Sequence, residues 1–580
     1  MDAMRCLYQV PLDRGVGTTP GKNGVKTTAL TNIVMCMSPD QVVRPSVEDN
    51  YALHCAASQG HMDVVRHLCE LPSDRGVDPS ARRNDTIRMA ASHGHVDVVR
   101  YLCELPPDRG VDPSVEDNDA ICCAASAGHM DVVRYLCELP SDRGVDPSAQ
   151  DNDAIQEAAI TGHVDVVRYL CELPPDRGVD PSAQDNDAIC CAAVFGHMDV
   201  VRYLCELPPD RGVDPSAQAN KAICGAAWGG HMNVVRYLCE LPPDRGVPPV
   251  DPSARTYAIT LCELPPDREF DSPISSAASQ GHVDVVRYLC ELLPDRGVDP
   301  SADDSIRAAA SNGHADVVRY LCELPPDRGV DPSANSNDAF RMAASRGHLD
   351  VVRYLCELPP DRGVDPSANR NDAFWMAASR GHVDVVRYLC ELPPDRGVDP
   401  SAIFSIAIWM AALHGRMDVV RYLCELPPDR GVDPSTQDNY AIYCAASEGH
   451  MDVVRYLCEL PPDRGVDPSA QNNDAIRLAA SHGHVDVVRY LCELPPDQGV
   501  DPSAQNNRAI RLAASRGHVD VVRYLCELLP DRGVDPSAGG NDAIHGGASR
   551  GHVDVVRYLC ELPPDRGVDP SANRNDAFRM

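Results

Sequence analysis

QNNDAIRLAASHGHVDVVRYLCELPPDQGVDPSA, residues Gln471 to Ala504, is the stretch whose reading decides the fold. Asp474 is a good helix N-cap, since its carboxylate can take an orphan N–H of the first turn. Ala475 to Ser481 then reads as a short helix, rich in alanine and so suited to close approach by a neighbour. Gly483 ends it, because glycine tolerates the left-handed conformation that closes a helix. A second helix follows. Val485, Val488 and Cys492 recur at helical spacing, as do Val487, Leu491 and Leu494, and the two rows merge into one apolar stripe. Asp486, Arg489 and Glu493 fall on the opposite side at spacings that suit ion pairs. Pro495 and Pro496 stop this helix, and DQGVDPSA is turn chemistry.

One such pair of helices cannot bury its own stripe, but stacked copies can. The copies are present. VVRYLCEL occurs fourteen times and VVRHLCEL once, at Val64 to Leu71. The Gly-His step before it recurs from Gly60 to Gly551 with a period of 34, apart from one step of 51 and one of 32. At Gly415 the histidine is replaced by Arg416. The fold expected is all-α: a helical solenoid of about fifteen 34-residue units.

The phrase AAxxGHxxVVxxL, as in Ala479 to Val488, resembles the ankyrin repeat, and GVDPSA at Gly499 to Ala504 is similar to that family's GADVNA. The resemblance runs from about Tyr51 to Met580. It implies paired helices and a concave face whose partner contacts come from loop tips and from the two residues before each Gly-His. Two departures matter. The family's TPLH becomes Asp474-Ala475-Ile476-Arg477, and the connection from GVDPS to the first helix is shorter. A tight loop is therefore expected in place of the family's β-hairpin finger.

The reading divides the chain into four parts. Residues 1–50 are decayed repeat material: Met1 to Val16 aligns with Val96 to Val111, and Asp40 to Leu53 with Asp108 to Ile121. Residues 51–246 form a first stack. Residues 247–275 are a damaged unit, since Val247 to Val250 adds three residues and Ala258-Ile259 runs almost directly into Leu261-Cys262. A break is expected there. Residues 276–580 form a second stack that stops at Met580 inside a first helix, with no polar capping unit visible at either end.

Composition narrows the function. Eighty-six acidic against 53 basic residues give a net charge of −33, which argues against nucleic acid and anionic membranes as partners. No apolar run approaches a spanning helix, and MDAMRCLYQVP lacks the core of a signal peptide. An intracellular protein, with the cytoplasm as default, is the reading. Sixteen of 25 cysteines share one position in LCE, and no CxxC pair occurs, so they read as buried free thiols rather than zinc ligands. The Gly-His histidines recur without a third ligand, and hydrogen bonding to backbone at the repeat junction is the simpler reading. Clusters such as Asp151-Asn152-Asp153 lack the glycine and bidentate glutamate of a calcium loop and read as caps and turns. No cofactor, metal or catalytic set stands out from the repeated scaffold, so an enzyme is not expected.

What varies between units is more informative. The position after the first helix's Ile or Phe reads Arg307, Arg341, Trp375, Trp409, Tyr443 and Arg477 along the later units, with Phe374 and Phe404 nearby. Pairs before Gly-His include Val194-Phe195 and Trp228-Gly229. Aromatic residues and arginine are the usual anchors of interfaces, so Phe195, Trp228, Arg341, Phe374, Trp375, Phe404, Trp409 and Tyr443 form the candidate contact set. The alternative for Trp375 and Trp409 is a place in the inter-unit core. The function expected is a non-catalytic protein-interaction scaffold, its partner carrying a basic patch. Two other readings stand beside it: an adaptor or effector that delivers a partner to a separate enzyme, and a recently expanded array with no fixed partner.

Overall fold

The computed structural model describes residues 47–571, apart from residues 243–249, 254–271 and short stretches of other loops. Within them, 30 α-helices form fifteen consecutive pairs, and the described residues contain no strand. The chain divides into two compact units. Residues 1–146 hold three pairs, from Val47–Ser58 to Met130–Glu138, and residues 147–580 hold twelve, from Ala149–Thr161 to Val553–Glu561. The alignments drawn for residues 1–46 lie outside the described residues.

Within each unit, first helices pack side by side in one row, and second helices in another with fewer mutual contacts. Alanine sets the spacing of the first row. Ala479 and Ala480 are wholly buried, as are Val488 and Leu491 of the second helix, with Val487 and Cys492 almost so. Only Val485 of the expected stripe is half-buried. The described cysteines are free thiols, and burial pushes that of Cys424 up to about 12.

The tight loop takes a form that spacing did not indicate. In the first helix of the quoted unit, Ala470–His482, the residues Gln471, Asn472 and Asn473 are left-handed, with φ of 52°, 58° and 69°. Such residues cost about 1–2 kcal/mol each unless they are glycine or a short amide. Asn473 offsets the cost. It is 8% exposed, and its Oδ1 accepts the backbone N–H of Asp501, in the next unit, at 2.7 Å. Asn152, Asn186, Asn439 and Asn507 do the same for Asp180, Asp214, Asp467 and Asp535 at 2.7–2.8 Å. Asp501 in turn accepts from the N–H and hydroxyl of Ser503 at 2.8 and 2.6 Å, which closes the loop. Asp474, read as the cap, accepts instead from Arg477 Nε at 2.7 Å.

The histidines join the units, as the simpler reading has it. His518 Nε2 bonds to the carbonyl of Ser481 at 3.1 Å, and His484, His348 and His197 reach Ser447, Ser311 and Ile160 at 2.8–3.0 Å. Each ring lies on a glycine of the preceding unit. Gly483 has φ +85°, and a Cβ there would sit 2.5 Å from His518 Nδ1. Arg416 fills the same seat, its Nε donating to Ser379 O at 3.2 Å.

Two further joints lie on the second helices. The arginine of VVR was expected to pair with acids on its own helix. In twelve joints it lies instead over the tyrosine ring of the next unit, at 4.8–5.9 Å from the ring centroid. A guanidinium gains more from a partly desolvated ring than from an exposed carboxylate. Arg557, in the last described pair, makes the local ion pair, with Asp554 at 3.5 Å. The loop arginine of PPDRG reaches back to a second-helix carbonyl: Arg362 Nη1 donates to Cys322 O and Arg566 Nη1 to Cys526 O, both at 2.8 Å. Gln498 stands where the quoted unit would have that arginine, and its Oε1 is buried without a partner.

The helix pairs that flank residues 247–275, where a break is expected, are in contact. Residues 254–271 lie outside the described residues, yet helix Pro273–Gln280 packs directly on Ala217–Trp228. His282 Nε2 bonds to Trp228 O at 2.9 Å, and Arg236 lies 5.4 Å from the Tyr288 ring centroid. Intact pairs present the same complementary faces, so these two meet directly.

Candidate binding face

The variable position of the first helix lies at its partly exposed edge, three residues after the aspartate that opens the regular turns. Arginine there links units. Arg307 Nε lies 3.4 Å from Asp304 and 3.8 Å from Asp338 of the next unit. Arg341 pairs with Asp338 and stands 3.9 Å from Asp372. Arg511 reaches Asp542 at 2.6 Å. The row Asp304, Arg307, Asp338, Arg341, Asp372 is thus an alternating charge ladder. Burial raises the Asp372 carboxyl above its ordinary value, and the Arg341 guanidinium pulls it back.

The ladder stops after Asp372. Trp375 takes the next arginine position, Ile406 the next aspartate position, and then come Trp409, Tyr440 and Tyr443. All five are half-buried. The rings of Trp409 and Tyr440 meet edge-on with centroids 5.3 Å apart, and Tyr440 stacks on Tyr443 at 5.0 Å. The indole Nε1 of Trp409 is buried with no partner. Beyond Tyr443 the charges resume with Asp474 and Arg477. The result is an aromatic island bounded by charge on both sides.

Of the candidate set, Trp409 and Tyr443 are joined through Tyr440, while Trp375 and Arg341 hold the equivalent position in the two preceding units. Phe374 does not belong to this face. It is 2% exposed, because one step along a helix turns the side chain by about 100° and carries it into the core. Phe404 lies in helix Ala402–Leu413, but its side chain is outside the described residues. Phe195, 40% exposed, stacks on His197 with centroids 6.5 Å apart. Trp228 is half-buried in the neighbouring unit, and each of the two lies just before the Gly-His step of its own unit. Tyr440 and Ile406 were missed. Their signal was the loss of the opening aspartate in two successive units.

These features match a known family. The sequence profile described as Ankyrin repeats (3 copies) matches residues 25–117, 105–185, 306–403, 408–506 and 494–574. The chain belongs to the ankyrin-repeat family. Ankyrin repeats are generally protein–protein interaction modules, and the family is typically non-enzymatic. Compared with curated proteins, the chain matches none. Among the described residues no helix is long and apolar enough to cross a membrane. Nor does any group of three or more His, Cys, Asp or Glu among them stand arranged to hold a metal ion.

Proposed function

We propose that this ankyrin-repeat chain is a non-catalytic scaffold that holds a partner protein on the face of its first helices, centred on Trp375, Trp409, Tyr440 and Tyr443. The observation that carries the reading is the replacement, over successive units, of a self-satisfied Arg–Asp ladder by half-buried aromatic rings. A ladder of internal ion pairs spends its polar groups within the stack. Exposed ring surface gains by being covered, and tryptophan and tyrosine are enriched where interfaces concentrate their binding energy. The backbone beneath is already ordered by its joints, so association loses little conformational entropy. The net charge of −33 favours a partner with a basic surface, and the cytoplasm is the compartment that suits its free thiols.

The test is capture of partners by the intact chain and by a variant carrying Trp375→Ala, Trp409→Ala and Tyr443→Ala, with helix content and unfolding midpoint measured on both. Proteins retained by the intact chain and lost by a folded variant support the reading. Equal capture by both rejects it.

A further inference from the structure

Resting on that reading, we propose that the partner group seated at Tyr440 and Tyr443 is an arginine side chain. The argument comes from how the molecule uses its own arginines. Along the first-helix row a guanidinium joins aspartates of adjacent units, as Arg307 joins Asp304 and Asp338. Along the second-helix row a guanidinium lies over a tyrosine ring, as Arg489 does over Tyr524 at 4.8 Å. Both seats recur through the stack, and in both the cation comes from the chain itself.

At Tyr440 and Tyr443 the two kinds of seat meet. The arginine and aspartate positions of this unit are both tyrosine, so the row offers two stacked rings where it elsewhere carries an ion pair. The cleft beside them, between helices Thr436–Glu448 and Ala470–His482, is lined by Asp438, Asp467 and Asp474 together with Gln471. The described residues that line it include no cation, and Arg477, which also feels Tyr443, is held by Asp474 at 2.7 Å. Asp438 takes a long bond of 3.4 Å from the Gln471 amide and is exposed. Asp467 accepts from Ser469 and is likewise exposed. Rings with a negative face, bordered by carboxylates with free lone pairs, suit a planar cation that stacks and donates at once. Arginine meets that requirement better than lysine, whose compact ammonium is more strongly hydrated.

The probe is a capped Gly-Arg-Gly peptide, with its lysine and citrulline analogues, titrated into the full chain at low and at high salt. Resonances of Tyr440 and Tyr443, assigned by substitution, report binding. The arginine peptide is expected to bind about five- to tenfold more tightly than the citrulline peptide, which keeps the shape and loses the charge. High salt should narrow the gap. Tyr443→Arg places the chain's own guanidinium in the seat, as Arg511 does toward Asp542, and should abolish binding while the unfolding midpoint holds. Should that variant fail to fold, Tyr440→Ala with Tyr443→Ala removes the rings and must abolish binding equally. Equal binding of arginine and citrulline peptides overturns the proposal, as does arginine binding that survives both variants. In either case the scaffold reading still stands if partner capture depends on Trp375, Trp409 and Tyr443. Loss of that dependence overturns the scaffold reading instead.

Discussion

Residues 304–372 and residues 374–443 are built from the same kind of helix pairs and differ along one edge. The first stretch carries Asp304, Arg307, Asp338, Arg341 and Asp372 as a continuous charge ladder. The second carries Trp375, Ile406, Trp409, Tyr440 and Tyr443 in the corresponding places. The joints beneath are alike. His348 bonds to Ser311 O at 3.0 Å in the first, and His450 to Leu413 O at 3.0 Å in the second. Arg319 over Tyr354 and Arg421 over Tyr456 repeat the outer contact. The lesson is that stacking and surface chemistry are carried by different groups. Joints aimed at backbone carbonyls do not depend on a neighbour's side chain, so the edge can change from charged to aromatic without a change of fold.

The largest effect separates two adjacent aromatics. Phe374→Ala should cost about 3–5 kcal/mol, the usual loss for a buried phenylalanine, and Trp375→Ala no more than about 2, because its ring is only half-buried. Urea unfolding midpoints measure both. Equal losses would mean that Trp375 is core and that the aromatic stretch is not a surface.

Next come the glycines, where the two stretches should behave alike. Gly347→Ala and Gly415→Ala each force a side chain into a left-handed position, with φ of +81° and +66°, and against the imidazoles of His382 and His450. Strain of about 1–2 kcal/mol and a displaced hydrogen bond of about 1 predict a loss of about 2–3 kcal/mol at either site. A marked difference between them would show that the joints are not equivalent.

Pair couplings should then distinguish the stretches. A double-mutant cycle on Trp409 and Tyr440 should return about 0.5–1.5 kcal/mol, unchanged by salt. The Arg341–Asp338 pair should return about 0.2–1 kcal/mol and weaken as salt is added.

The smallest effect per joint is its pH dependence. Burial holds His314 and His382 below the ordinary value of 6.5. His348 faces both, and the arginines Arg380 and Arg416 face His382, so like charge adds to the shift. The unfolded chain therefore binds more protons than the folded one, and stability rises with pH across this window. It is fully present above the unfolded value of 6.5 and is lost as pH falls through the lower folded values. Each histidine also sits at the start of a second helix, where added positive charge is unfavourable. Hydrogen exchange at pH 7 and pH 5 should show the joints of His314 and His382 losing protection on acidification. The joint of Arg416, where a guanidinium takes the place of the imidazole, should lose less.

Much of this was legible in the residues. The 34-residue period, the paired helices, the glycine stop and the backbone role of the Gly-His histidines follow from spacing and residue type. The family resemblance rested on the same letters. Less legible were groups whose partners lie in the next unit. Asn473 meets Asp501 across 28 residues, His518 meets Ser481 across 37, and Arg489 meets a ring 35 residues on. Helical periodicity reports neighbours three or four residues apart, so it offered Arg489 an acid on its own helix and Asp474 a cap. Nor could it tell that the pairs on either side of residues 254–271 would stack directly.

The sequence by itself determined that identical amphipathic pairs must stack, because no single pair can bury its apolar stripe. Only the tertiary structure decided which side chains face a neighbour and which face outward. Phe374 and Trp375 are adjacent and alike in chemistry, and about 100° of helical rotation sends one into the core and leaves the other at the edge. That angle has a meaning only once the next unit is in place, since a helix surface becomes interior or exterior according to what packs against it.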